Sequence, residues 1–279
     1  MISFCIKSLD KGLIDKLESE IDAIEFQNII YLQKDFSKFH NLIIHYVGYH
    51  KNDFYNVLSE ILTSFIIKNY EDTIILRQLH IEFFYFSKSE QFDLLNNTKK
   101  LLNTNHIALS KKKILKEHIL KFILNNRKFN INGIIDFRIC NYKNFIYSQL
   151  EETIHNYVIE KEYLEYVHLL KDYISVKPSQ CKSIHLIHSN SNESTLIDDY
   201  GNVITTTDEK KYLSDISFSN NDFILNSILS ILPKKLIIHT CSDDNFIQFL
   251  QSIFEDRCQL CSGCKICVQY NKKCKKYLN

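Results

Sequence analysis

Ser219-Asn-Asn-Asp-Phe-Ile-Leu-Asn-Ser-Ile-Leu-Ser-Ile-Leu-Pro233-Lys-Lys-Leu-Ile-Ile-His-Thr-Cys241 is the stretch that decides the fold. Phe223, Ile224, Ile228 and Leu232 recur at helical spacing, and Ser219 to Asn221 offer a cap. Pro233 lacks the N–H a helix needs and stops it. Leu236 to Cys241 is a β-branched run that reads as a strand. Ser242-Asp243-Asp244 then caps a second helix, with Phe246, Phe249, Leu250 and Ile253 on one stripe.

Upstream, Ile184 to His188 and Thr195 to Ile197 are strand-like, and the turn from Asp198 to Asn202 leads into Val203-Ile204. The C-terminal third therefore reads strand, strand, helix, strand, helix. Lys177-Pro178-Ser179 marks its start. From Asp53, a fitting N-cap, to about Val176 the period is helical. Phe54, Val57, Leu58, Ile61, Leu62 and Phe65 form the first stripe. Further helical segments run from Ile114 to Leu124, Ile131 to Ile139 and Phe145 to Ile174. Before this middle, Ile2 to Lys7, Phe26 to Gln33 and Leu42 to Val47 are strand-like, and Leu13, Ile14, Leu17 and Ile21 mark a helix between the first two. The expected class is α+β, divided into a small α/β unit (1–50), a helical region (51–177), an α+β segment (178–257) and a Cys-rich tail (258–279).

The 279 residues include 40 Ile, 30 Lys and 25 Asn, against 2 Ala and 4 Arg. Codons rich in A and T explain that skew, so the lysine excess carries no functional weight. The scarcity of glycine excludes more. No two of Gly12, Gly48, Gly133, Gly201 and Gly263 lie within six residues of each other. A dinucleotide fingerprint or a P-loop needs clustered glycine for backbone to approach phosphate. A net charge of +1 implies no whole-molecule attraction to nucleic acid or anionic membrane. The most apolar stretch, Phe223 to Thr240, is broken by Asn226, Pro233, Lys234 and Lys235, so no membrane span is expected. With no signal peptide at the start, a reducing cytoplasm is expected, where nine cysteines do not make a disulfide framework.

Five of those nine cysteines fall in the tail: Cys258, Cys261, Cys264, Cys267 and Cys274. The first four follow a strict three-residue spacing. Cys-x-x-Cys lets two thiolates converge on one metal through a tight turn, and Gly263 permits that turn. Thiolate-rich sites favour zinc or an iron–sulfur cluster. Zinc ribbons separate their two knuckles by a long loop, which is missing here. Consecutive spacing is closer to [4Fe–4S] ligation, yet the Cys-x-x-x-Cys-Pro ending of bacterial ferredoxins is missing too. Zn and [4Fe–4S] both stay open. Cys261, Cys264 and Cys267 are the expected core of the site, completed by Cys258 or Cys274.

Other constellations are weaker. His239 and Cys241 share one face of their strand, where a packed strand-end pair is expected over a remote metal ligand. Cys5, Cys140 and Cys181 read as small buried hydrophobes. Glu152-x-x-His155 and Glu165-x-x-His168 match di-iron spacing but read as a solvated helix face, since Leu164, Val167, Leu170 and Ile174 supply the buried stripe. Ser183, His185, His188 and Asp198 lack any nucleophile elbow. Lys265, Lys272, Lys273, Lys275 and Lys276 surround the cysteines, with Tyr270 and Tyr277 available for stacking, so a nucleic-acid-binding module stands as an alternative.

Several segments resemble one family. They are Ile131-Asn-Gly-Ile-Ile-Asp-Phe-Arg138, Tyr157-Val-Ile-Glu-Lys-Glu-Tyr-Leu-Glu165, Ile184-His-Leu186, Leu232-Pro-Lys-Lys-Leu-Ile-Ile-His239 and Ile253-Phe-Glu-Asp-Arg-Cys-Gln-Leu-Cys261-Ser-Gly-Cys264-Lys-Ile-Cys267. Together they resemble the YtxC-like family of sporulation proteins, most specifically from 131 to 267. The resemblance implies a sporulating bacterial cell and carries over no catalytic residue. The expected function is an accessory protein of that cell with a protein partner and a metal-binding tail. An iron–sulfur redox protein is the other alternative.

Overall fold

A computed structural model describes residues 2–23, 28–36, 38–188, 194–204, 219–240 and 244–270. Contacts divide the chain into two compact units, residues 1–159 and 160–279. Helix and strand are mixed throughout, with a helical middle, as the periodicity predicts.

The first unit opens with β1 (Ile2–Ser8), α1 (Lys11–Asp22), β2 (Ile29–Phe36) and β3 (Phe39–Tyr46). Helices α2 (Lys51–Glu82), α3 (Lys88–Leu102) and α4 (Asn105–Asn125) follow, then β4 (Lys128–Asn130), α5 (Ile131–Phe137) and α6 (Cys140–Val176), which passes the unit boundary. The sheet order is β2-β3-β1-β4, antiparallel except for the β1–β4 pair. Asp10 caps α1 by accepting from the Gly12 N–H at 2.8 Å. Ile14, Leu17 and Ile21 turn to the core, as the stripe requires.

Three expectations shift. Asp53 does not cap α2: the helix starts at Lys51 after His50, and Asp53 sits in its first turn, where a negative charge suits the dipole. The second strand runs three residues later than expected, at Ile29–Phe36, and Phe26 lies outside the described residues. Strand β4 was not expected, because three residues are too few to show a period. Its Phe129 is fully buried.

One polar cluster sits inside this core. Lys111 Nζ lies 3.0 and 2.9 Å from the two Glu71 carboxylate oxygens. The Tyr142 hydroxyl donates to Glu71 at 3.0 Å, and the ammonium also donates to Asn103 Oδ1 at 3.3 Å. A buried ion pair persists only when its remaining lone pairs and protons find partners, and this one has them.

The second unit contains β5 (Cys181–His188), β6 (Ser194–Ile197), α7 (Asn220–Ile231), β7 (Pro233–His239), α8 (Asn245–Phe254), β8 (Cys258–Leu260) and α9 (Lys265–Tyr270). The sheet order is β6-β5-β7-β8. Strands β5 and β6 are antiparallel. The β5–β7 and β7–β8 pairs are parallel, with α7 and α8 on the connections, as parallel neighbours require. Ser219 caps α7 in a reciprocal box with Asp222, and the helix ends at Ile231 before Pro233 opens β7. Asp244 caps α8 by accepting from the Ile247 N–H at 3.0 Å.

The pleat of this sheet sorts its residues. Ile184, Leu186, Leu236 and Ile238 are buried in a core with Ile224, Ile228, Ile247, Leu250, Ile253 and Phe254. Alternation sends Ser183, His185, Ile237 and His239 to the opposite face. The sequence reading runs the last helix straight into Cys258. Instead α8 stops at Phe254, Glu255 takes a left-handed φ of 44°, and Cys258–Leu260 pairs with β7 as an edge strand.

Candidate metal centre

Four side chains converge at the C-terminal end of β7. His239 and the sulfurs of Cys261, Cys264 and Cys267 place their ligand atoms within 4.8 Å of one another, a group that could hold a metal ion. His239 Nδ1 lies 3.2 Å from Cys267 Sγ and 3.6 Å from Cys264 Sγ. Cys267 Sγ is 3.9 Å from Cys264 Sγ and 3.7 Å from Cys261 Sγ.

Local structure explains the convergence. The Cys261 N–H donates to the Ile238 carbonyl at 2.9 Å, which extends the β7–β8 ladder by one residue and brings Cys261 beside His239. The chain then reverses through Ser262 and Gly263. Gly263 adopts a φ of 130°, a conformation that side chains rarely take. Its N–H donates to Cys261 Sγ at 3.4 Å. Cys264 precedes α9, whose first helical turns carry Cys267 three residues on, on the same face.

Of the five tail cysteines, Cys261, Cys264 and Cys267 lie in this group. Cys258 does not. It pairs with Leu236, whose side chain faces the core, and it packs against the same core. An offset of three residues along an extended chain reverses the face, so Cys258 and Cys261 point apart. Cys274 lies outside the described residues, as do Cys241 and the lysines from Lys272 onward. His239 is therefore more than half of a packed strand-end pair. A histidine in a β-branched strand gives no sign of its partners, but its alternation against the core residues Leu236 and Ile238 places those partners on the face away from the core.

The electrostatics separate the thiols. Burial pushes the Cys258 thiol up to about 11, which keeps it a neutral core group. Burial likewise pushes Cys267 up to about 11; a backbone hydrogen bond at Cys264 offsets part of this, and the Cys261 and Cys264 side chains add to the rise. Burial also opposes ionisation of Cys264, but the backbone N–H groups of Cys267 and Ile266 and the Cys261 side chain outweigh it. Cys264 therefore lies below the ordinary thiol range. Burial and then the adjacent His185 hold the His239 imidazole below its ordinary range. That favours the neutral ring, the form in which histidine binds metal.

The other sequence candidates stand elsewhere. Ser183 and His185 both meet Asp199, not Asp198, which instead accepts N–H groups of Tyr200 and Asn202 within its own turn. His188 is fully buried between Ser194 and the helix cap Asp244, so both ring nitrogens are satisfied. Glu152, His155, Glu165 and His168 are exposed, the last facing Asp172 at 3.6 Å. Cys5 and Cys181 are half-buried, but Cys140 is exposed, contrary to its reading as a core residue. No described helix is long and apolar enough to cross a membrane.

An α+β protein with a thiol–imidazole cluster at one sheet end is a class defined by its site, not by a known reaction. The chain belongs to the YtxC-like family, whose model matches residues 56–259. It is 21% identical over 216 residues to the Uncharacterized protein YtxC of Bacillus subtilis (strain 168), covering 73% of this chain and 75% of that protein. No solved structure matches significantly. The family match includes His185, Asp199 and His239 and stops at Gln259, two residues before Cys261. Of the cysteines quoted for the resemblance, Cys258 thus lies within the matched residues and Cys261, Cys264 and Cys267 lie beyond them.

Proposed function

We propose that this chain is a metal-binding accessory protein of the sporulating cell, in which Cys261, Cys264, Cys267 and His239 hold one structural zinc ion. The spacing of the ligand atoms carries this reading. Around a tetrahedral zinc, sulfurs at about 2.3 Å and a nitrogen at about 2.0 Å stand roughly 3.8 Å apart sulfur to sulfur and roughly 3.5 Å sulfur to nitrogen. Four of the six separations are 3.7 and 3.9 Å between sulfurs and 3.2 and 3.6 Å from sulfur to nitrogen, and all six lie within 4.8 Å. A [4Fe–4S] cube binds each ligand to a different iron and needs its thiolates much farther apart.

Four protein ligands leave no open position for water or substrate, which is the pattern of a structural site. That favours an accessory role with a protein partner over an enzyme. The cytoplasmic, sporulating context rests on the family resemblance and on thiols that require a reducing compartment. Zinc and acid-labile sulfide measured on anaerobically purified protein test the metal. One zinc per chain without sulfide agrees with the reading. A brown, sulfide-containing product would replace it with the iron–sulfur alternative.

A further inference from the structure

The metal-facing histidine does not stand alone. Its other ring nitrogen, Nε2, lies 2.9 Å from Nδ1 of His185 on the neighbouring strand. The two rings meet edge to edge and nearly coplanar, with centroids 5.1 Å apart and planes inclined by 25°, the arrangement an in-plane N–H···N bond needs. The far nitrogen of His185, Nε2, lies 3.4 Å from Asp199 Oδ1 in the turn after β6. The Ser183 hydroxyl, two residues before His185 on the same face, donates to the same carboxylate oxygen.

We propose that His185 and Asp199 are positioning residues for the metal site, a relay that fixes His239 as an Nδ1 ligand. The inference rests on the zinc reading above and extends it from four ligands to their support. Proton positions make the relay directional. If Nδ1 of His239 faces the thiolates and the metal, its only proton is on Nε2. That proton is donated to His185 Nδ1, which leaves the His185 proton on Nε2, facing Asp199. The ionised carboxylate only accepts, so the chain ends there with every donor matched. Reversing either ring leaves two donors or two acceptors facing each other. Outer partners of this kind fix the tautomer and orientation of a metal-binding histidine and raise its basicity.

The arrangement also has a reason in the fold. His185 lies two positions from the residue opposite His239 in the parallel register, because Ile187 pairs with His239. The two side chains meet diagonally on the face away from the core. Asp199 reaches them because β6 runs antiparallel to β5 with Ile197 opposite His185, so the residues that follow β6 lie beside the start of β5. Three separate segments of the chain are thus tied to one ligand.

Zinc affinity of the full chain, measured by competition with a chromophoric chelator under anaerobic conditions, tests this. His185→Ala is expected to weaken zinc binding about 10–100-fold, the usual cost of losing an outer partner. His185→Asn is expected to recover much of that loss, since its δ oxygen stands near the lost Nδ1 and accepts the same proton. Asp199→Ala, on the exposed turn, is expected to weaken binding in the same direction, and it serves if His185→Ala does not fold. The cobalt-substituted His185→Ala protein should show shifted visible bands as His239 loses its orientation. His185→Ala and Asp199→Ala binding zinc within about twofold of the native chain would overturn the relay. So would His185→Asn binding no better than His185→Ala. Native protein that takes up no zinc would remove the metal reading itself, whereas native binding with indifferent variants removes only the relay.

Discussion

Stripping the metal should release the tail and spare the rest of the second unit. The structure sets the magnitudes. Among the described residues, none after Phe254 belongs to the buried apolar set, and Leu260 and Val268 are 54% and 74% exposed. From Gln259 to Val268 the chain therefore has almost no apolar burial to hold it. Strand β8 contributes a short ladder against β7, and each backbone hydrogen bond nets only about 0.5–1.5 kcal/mol. Structural zinc contributes about 10–16 kcal/mol in small peptides, far more than that ladder. Elsewhere Ile184, Leu186, Leu236 and Ile238 pack on both helices, and burying one such side chain is worth about 1.5–3 kcal/mol without any metal. Hydrogen exchange read by mass spectrometry, with and without a strong chelator, checks the balance. Peptides across 258–270 should lose protection, while those across α7, β7 and α8 keep theirs. Loss of protection through all three would refute the reasoning, and so would a tail that stays protected after the metal is gone.

Further outcomes follow from the same contacts. Zinc affinity should rise with pH, because Cys267, at about 11 without metal, must release its proton to bind; affinity that is flat from mildly acidic to mildly alkaline pH would contradict this. Gly263→Ala forces a side chain into a φ of 130°, a strain of about 1–3 kcal/mol, so zinc binding should weaken about tenfold or more in the same competition assay. Lys111→Met strands the buried Glu71 carboxylate and should cost about 3–5 kcal/mol in urea unfolding. Adding Glu71→Gln to that variant should recover much of the loss, and a double variant no better than the single one would show that the charges are not coupled.

The legible parts of the fold were those where period, cap and stop agreed. Helix α7 has all three, in its apolar stripe, Ser219 and Pro233. Helix α1 shows its stripe, with Asp10 in front of it. Strands β4 and β8 have three residues each, which is too short for alternation to be visible, and their pairing partners are far away in sequence. For the site, the cysteine spacing pointed to the correct turn, because Cys261 to Cys267 is a local motif. It could not separate Cys258, whose face is fixed only by its pairing with Leu236. Nor could it supply His239, which reaches the thiols through a register set by the β7–β8 pair. In the sequence His185 is a strand residue in a weak constellation with Asp198, and Asp199 is only part of a turn. The sheet determines that they meet each other and His239.

The most direct measurement is native mass spectrometry of the full chain purified without oxygen, with zinc, iron and sulfide determined on the same sample. One zinc ion per chain, no sulfide, and loss of that zinc in His239→Ala are expected. A folded chain that carries no metal and leaves Cys261, Cys264 and Cys267 freely titratable would contradict the zinc site.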